Sequence, residues 1–431
     1  MRCGRAVVNA FVGSGMMCAA TAFAQPPAVM SLAQAQQIAL QNHPRIASAA
    51  LTADASKAAV NEVRSAYYPT LSGNVTGVGA EHNSTLSSGF LTTSSMYSRG
   101  ATGVVASQLL TDFGRTSSLE QTAKLRNASQ NQNVTNIRAQ VLVDVKEAYY
   151  AALAAESVLK VAQETLNLRR VTLRQVRALA QSALRSTVDV SFAEVNVSQA
   201  ELDVFRAEND AKASHARLSA ALGYDRDQSF SLADEGLPPA LNPDVDTLIA
   251  EALRDRPDLA ALQLSRDALE RFAEAEKRLR NPAITAAAAA GVAPVRDPRI
   301  QETYSGAGIN INIPVLNGGL FKARRQEAES HAAAASKDVQ DLSVEISRDV
   351  RIAWLDATDA FRRLDVTARM VAEANEALRL AQARYDNALG SIVELSQAQL
   401  NQTSAEIASA SAKYEYLSRR AALDYAIGAL R

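Results

Sequence analysis

The chain of 431 residues has two cysteines, Cys3 and Cys18, both near its N-terminus. That excludes a disulfide framework and, further along the chain, any thiol chemistry. Neither sign of charge dominates: 45 basic residues face 46 acidic ones, a formal net charge of -1. A strongly basic nucleic-acid binder and an acidic solvating tail are both excluded. Aromatics are scarce at 5%, while small apolar residues, alanine above all, fill much of the 47% hydrophobic fraction. A core built from them is thin and elongated. No stretch beyond the N-terminal region offers the roughly 20 consecutive apolar residues of a transmembrane helix.

Chemistry-bearing motifs are missing as well. His43, His82, His215 and His331 share no ligand spacing, so no metal site is expected. There is no G-x-S-x-G, no Walker loop and no G-x-G-x-x-G between a strand and a helix. The chain reads as a non-enzyme without a cofactor.

The N-terminus reads as an address. Arg2 and Arg5 precede the apolar tract Ala6 to Ala20, and Ala22-Phe23-Ala24 is an A-x-A cleavage site. Residues 1–24 are therefore expected to be a secretory signal, with Gln25 as the mature start. A frayed or membrane-anchoring N-terminus is one other reading, and lipidation at Cys18, with the bulky Met17 against it, is a second. With a cleaved or a lipidated signal the protein is exported. An exported chain without a spanning helix can enter a membrane only as a β-barrel.

Proline and glycine, 12 and 19 in all, punctuate the rest. Neither occurs from Arg115 through Leu222 or from Leu320 through Leu389. Both tracts carry apolar residues at spacings of three and four, such as Val141, Val145, Ala148 and Ala152, or Ile346, Val350, Ala353 and Ala357. That pattern predicts very long helices with a heptad-like seam. Tight turns are expected at residues 181–188 and 386–392, and Gly223 and Gly428 suit left-handed helix C-caps.

The landmarks recur. His43-Pro44 and Tyr68-Pro69 have counterparts in Arg256-Pro257 and Asn281-Pro282, 213 residues on. Asp112-Phe113-Gly114, Asp189, Ala193 and Gly223 have counterparts in Asn317-Gly318-Gly319, Glu394, Ala398 and Gly428, 205 residues on. Two repeats follow. The first, residues 25–228, holds a helix, a β-hairpin over 70–109, a long helix over 115–180 and a helix over 187–222. The second, residues 229–431, holds a linker, a helix over 257–280, a hairpin over 283–313, a long helix over 320–389 and a helix over 392–427. A Ser/Thr/Gly loop, 81–96, is expected inside the first hairpin.

Ile309, Ile311 and Ile313 alternate with Asn310 and Asn312, the period of a strand wet on one face. Each strand is about ten residues, enough for a tilted strand to cross a bilayer. Tyr67, Tyr68, Phe90, Tyr97, Phe113, Tyr304 and Phe321 fall at strand ends or in the loop, as in an aromatic girdle. A pair of soluble hairpins fits the periodicity too. Four strands cannot close a barrel, so embedded hairpins require an oligomer, and three copies supply twelve strands.

In this order, these features resemble the TolC-type outer-membrane efflux proteins, over Ser31 to Arg431. The resemblance implies a mainly α fold with a small β part. It implies a homotrimer whose four strands per chain close a 12-stranded barrel in outer-membrane lipid, with long helices forming a periplasmic α-barrel. It places residues 230–255 in an equatorial belt, and it implies a periplasmic adaptor and an inner-membrane pump as partners. The helix turns would pinch the periplasmic tip shut. Tyr385 and Asp189 match a gate tyrosine and its hydrogen-bonded aspartate. Glu394 matches one acidic ring position, Gln397 replaces a second acid, and Gly390 stands where a gate arginine is found. The competing reading is a soluble periplasmic coiled-coil scaffold or adaptor without a pore.

Overall fold

A computed structural model describes residues 29–79, 85–88, 91–95, 99–226, 228, 230–238, 244–294 and 301–430. The expected signal, Cys18, Phe90 and Tyr97 lie outside the described residues.

Strand β1 (Val29–Met30) leads into α1 (Leu32–Asn42) and α2 (Pro44–Arg64). The first β part comprises β2 (Thr70–Val78), β3 (Thr85–Ser88), β4 (Leu91–Ser95) and β5 (Arg99–Thr111). Helices α3 (Arg115–Gln181) and α4 (Thr187–Ala221) follow. After β6 (Ser231–Leu232) come α5 (Val245–Asp255) and α6 (Pro257–Lys277). The second hairpin is β7 (Ala283–Val292) and β8 (Thr303–Asn312). Helices α7 (Leu320–Asp386) and α8 (Ile392–Ala426) complete the chain. The segment expected to be loop, 81–96, contains the short antiparallel pair β3–β4. Its Thr and Ser residues suit a strand as well as a loop, and the sequence pattern missed it.

The long helices α3 and α7 have 67 residues each, about 100 Å at 1.5 Å per residue. Their seams are alanine and aliphatic residues, among them Val141, Val145 and Ala152 in α3 and Ile346, Val350 and Ala357 in α7. Small side chains let neighbouring helices approach closely, which explains why so few aromatics suffice.

The strands β2-β5-β7-β8 form one four-stranded antiparallel sheet, in that order. The helices joined to them pack in the same sequence: α2 on α3, α3 on α6, α6 on α7. Each strand therefore continues into its own helix, and the sheet and helix layer form one wall. At the far end α4 packs on α3, α3 on α8 and α8 on α7. The two ends of α7 thus border an unpartnered edge. Accordingly α7 has 10 buried residues where α3 has 20.

The two halves also pack alike. Gly223, at φ 84°, closes against Asn42 and His43. Gly428, at φ 75°, closes against Asp255 and Arg256. In both places a bare, left-handed C-cap lets one helix end rest on the backbone before a proline-initiated helix. At mid-height, β1 runs parallel to β6. The Tyr149 hydroxyl lies 2.8 Å from the Met30 carbonyl and 2.7 Å from that of Ala233, tying this pair to α3. Burial pushes the Tyr149 phenol up to about 12.

Candidate functional site

Three places carry the geometry of a conduit: the sheet faces, the collar where strands become helices, and the helix tips.

In an antiparallel sheet directly opposed residues share a face. The register places Leu71, Val75, Val104, Ala106, Ile284, Ala288, Ile309 and Ile311 on one face. Several of these are strongly exposed, Leu71 at 74% and Val75 at 87%. The opposite face carries Thr70, Ser72, Asn74, Ser107, Thr285, Asn310 and Asn312. One side is thus mainly apolar, though Thr102, Gln108 and Ser305 share it, and the other mainly polar or small, though Val105 and Leu109 share it, a bias like that of a barrel wall between lipid and a wet lumen.

The expected aromatic positions divide. Tyr67 and Tyr68 precede β2, Phe113 follows β5 and Phe321 opens α7, all at the strand–helix boundary. Tyr67, Tyr68 and Phe113 are exposed and Phe321 is half-buried. Tyr304 departs from the expectation of a lipid-facing girdle. It pairs with Gly291 on the polar face, at the opposite end of the sheet. A Cβ on Gly103 or Gly291 would clash with the Tyr304 hydroxyl, so the ring lies flat over two bare glycines. Only glycine at both positions leaves room for it. Alternation along one strand could have revealed the face; the cross-strand glycines depend on register, which the sequence did not show.

At the collar, Asp112 caps α3 with its carboxylate, taking the Thr116 amide at 2.7 Å and hydroxyl at 2.6 Å. Phe113 and Gly114 supply the left-handed turn, as Gly318 and Gly319 do before α7. Glu276 of α6 is 2% exposed and lies between Arg324 of α7 at 2.9 Å and Arg115 of α3 at 4.0 Å. One buried carboxylate thus lies at ion-pair distance from arginines of two neighbouring helices beneath the sheet, without a hydrogen bond to either. No landmark in the sequence set this glutamate apart.

The tips are two copies of one turn. Ala183 and Ala388 sit at φ 54° and 58°, the left-handed region. At the first, the amides of Ala183 and Leu184 bond back to the carbonyls of Ala180 and Leu179. At the second, the amides of Ala388 and Leu389 bond to those of Tyr385 and Arg384. This is the Schellman arrangement with alanine where glycine is usual. Leu173, Val176, Ala193, Ala381, Tyr385, Ile392, Leu395 and Ala398 pack together just inside the turns.

Tyr385 is 2% exposed and its hydroxyl has no hydrogen-bond partner. The hydrogen bond to Asp189 implied by the resemblance is absent. Arg185 occupies the ring instead, its guanidinium 4.2 Å from the ring centroid, and donates to the Tyr385 carbonyl. Burial raises the Tyr385 phenol above its usual range; Arg185 opposes that shift, and Asp189 and Asp386 add to it. Glu394 is not a free acid: Arg384 holds it at 3.0 Å and also donates to the Leu389 carbonyl. Gln397 is exposed and donates to Asn401 at 2.9 Å. Gly390 contributes close approach, its α-carbon facing Arg384 and the Glu394 carboxylate.

This is the wall of a tubular channel: an amphipathic sheet running strand by strand into long helices joined to their partners by tight tip turns. Residues 35–224 and 248–429 match the family described as outer membrane efflux protein, and the chain belongs to that family. It is similar to the outer membrane protein TolC of Salmonella enteritidis, 21% identical over 93% of this chain and 82% of the relative. It is also similar to the probable efflux pump outer membrane protein TtgC of Pseudomonas putida, 26% identical over 87% and 78%. Among solved structures, the outer-membrane channel OprN superposes with a TM-score of 0.79 at 18% identity, covering 92% of this chain and 89% of that one. VceC from Vibrio cholerae gives 0.77 at 17% identity, over 92% and 96%. The mainly α fold with a small β part is that of these channels. The protein resides in the outer membrane and extends into the periplasm.

Proposed function

We propose that three copies of this chain close into an export duct across the outer membrane, continuous with a periplasmic tunnel. The observation that carries this reading is the matched order of strands and helices in one open-edged wall. β2 and β8 border the sheet, and α2 and α7 border the helix layer on the same two sides. A sheet edge in lipid leaves backbone groups unsatisfied, so each copy must hand its β8 edge to the β2 edge of the next. Three copies supply twelve strands, above the roughly eight of the smallest barrels. Exposed apolar side chains along the borders support this closure, among them Leu51 on α2 and Phe192, Val195 and Phe205 on α4, with Ile352, Leu355 and Val366 on α7.

In this reading residues 25–228 and 229–431 are two structural repeats, each giving two strands and one tip turn. The duct is passive, and an inner-membrane pump acting through a periplasmic adaptor supplies the energy. Adaptor contact moves the tips apart, a two-state change. TtgC's description as an efflux pump component supports the choice of partners. The test is membrane fractionation followed by planar-bilayer recording. A detergent-stable trimer from the outer membrane with ion conductance is expected. A monomer released by osmotic shock, without conductance, would overturn the duct.

A further inference from the structure

A basic pocket lies beside the collar, at the foot of β7. It has a volume of about 460 Å³ and is lined by Glu274, Lys277, Arg278, Arg280, Asn281 and Arg325. Four of the six lining side chains are cationic. Two of these are already committed. Arg278 donates to the Gly114 carbonyl at 2.6 Å and the Ser118 hydroxyl at 2.9 Å. Arg325 holds Glu329 at 2.7 Å. The one acid in the lining, Glu274, is held by Arg271 at 3.2 Å. Lys277 and Arg280 are exposed, and among the described residues neither has an ion-pair partner.

The equivalent place in the first repeat is built differently. Arg64, 213 residues before Lys277, is held by Glu120 at 3.1 Å. Tyr67 and Tyr68 stand where the second repeat has Arg280 and Asn281. Tyrosines at the foot of one strand mark the membrane–water boundary, because their rings favour apolar surroundings and their hydroxyls favour water. The basic pocket lies at that level, at the foot of the next-but-one strand in the sheet. In the proposed barrel, exposed cations at that level would be within reach of the phosphate layer of the periplasmic leaflet.

We propose that this pocket binds the phosphodiester headgroup of an anionic phospholipid of the periplasmic leaflet, with Lys277 and Arg280 as its cationic ligands and Arg278 and Asn281 at its floor. The proposal rests on the outer-membrane barrel reading. Guanidinium groups match phosphate oxygens in charge and in fork geometry, and lysine adds a point charge. Basic pockets at the headgroup level of membrane proteins bind anionic lipids for this reason. The chemistry is shared with free phosphate; the leaflet position favours the lipid.

Native mass spectrometry of the full-length trimer provides the test. The probes are phosphatidylglycerol, phosphatidylcholine and inorganic phosphate. The wild type is expected to retain phosphatidylglycerol at least tenfold better than phosphatidylcholine. The Lys277→Gln/Arg280→Gln double variant should lose that preference while remaining trimeric and conducting. Arg280→Lys, which keeps the charge, should retain most of it. Unchanged lipid retention in the trimeric double variant would overturn the proposal. Loss of the trimer in the double variant, or in Lys277→Gln and Arg280→Gln made singly, would make the cluster a subunit contact and overturn it as well. Inorganic phosphate binding without any lipid preference would overturn the lipid assignment. Trimer formation and conductance report on the duct itself, so the two readings fail separately.

Discussion

Arg185, in the first tip turn, lies over the ring of Tyr385, on the last turn of α7, with its guanidinium 4.2 Å from the ring centroid. It also donates to the Tyr385 carbonyl, so one side chain joins the two tip turns of a chain by stacking and by a hydrogen bond. Cation–π contacts contribute about 0.5–2 kcal/mol, and a hydrogen bond from a charged donor about 1.5–3.

If the tips gate the proposed duct, this contact would act as a latch, and Arg185 is the side chain to remove first. Arg185→Ala is expected to raise single-channel conductance or opening frequency severalfold in planar bilayers. Lysine at this position loses the flat stacking surface and should give an intermediate value. Tyr385→Phe should leave conductance near wild type, because the hydroxyl it removes has no partner. Tyr385→Ala should open the tip. A large conductance rise in Tyr385→Phe would return the latch to the hydroxyl and Asp189.

The tip was only partly legible in the sequence. The spacing of 205 residues between equivalent landmarks located both turns, and the heptad spacing placed Tyr385 on a seam. Whether its hydroxyl or its ring makes the contact depends on side-chain direction, which no periodicity encodes. Arg185 sits one residue before the N-cap Ser186, in a stretch rich in ordinary polar residues, and nothing local distinguishes it. The collar has the same character. Gly114 and Gly319 were visible as punctuation, but the burial of Glu276 follows from three helices meeting, which is a tertiary fact. The long helices and the strand alternation were legible because repetition over many residues outweighs local ambiguity.

Arg384 pairs with Glu394 at 3.0 Å. In the proposed trimer that pair would make the ring of three such sites locally neutral rather than acidic. Arg384→Ala frees three carboxylates and should shift the channel toward cation selectivity, read as the reversal potential in a salt gradient. Glu394→Gln leaves the arginine and should shift it the other way. The shifts should shrink at high salt, since both side chains are exposed. Equal reversal potentials in both variants would show that this pair does not border the conducting path.

Tyr149 holds the β1–β6 pair. Tyr149→Phe removes the hydroxyl near the Met30 and Ala233 carbonyls; the Met30 carbonyl keeps the Ala233 amide at 3.0 Å, while the Ala233 carbonyl loses its Tyr149 donor. The cost is about 1–3 kcal/mol. Because the ring still fills its site among Leu218, Leu222 and Tyr150, the helices should hold. The loss should be local: faster amide exchange around Met30 and Ala233, with the long helices unchanged. Uniform acceleration along α3 would mean that the tyrosine supports the whole wall.

Glu406 on α8 supplies a pH-dependent term. Burial raises its carboxyl above the usual range, Glu164 on α3 raises it further, and the amide of Gln402 opposes this. With the folded value above the unfolded one, the folded state binds the proton more tightly. As pH rises from the unfolded value through the folded one, the unfolded state loses its proton first, and stability falls across that window. At neutral pH the carboxylate therefore costs stability. Glu406→Gln removes the charge and keeps the volume, so the trimer of this variant should melt at a higher temperature than wild type at pH 7. Below the usual carboxylate range both chains are uncharged at this position, and the two melting curves should converge. A gain that persists unchanged at pH 3.5 would assign the effect to packing or hydrogen bonding, and repulsion between Glu164 and Glu406 would not be its source.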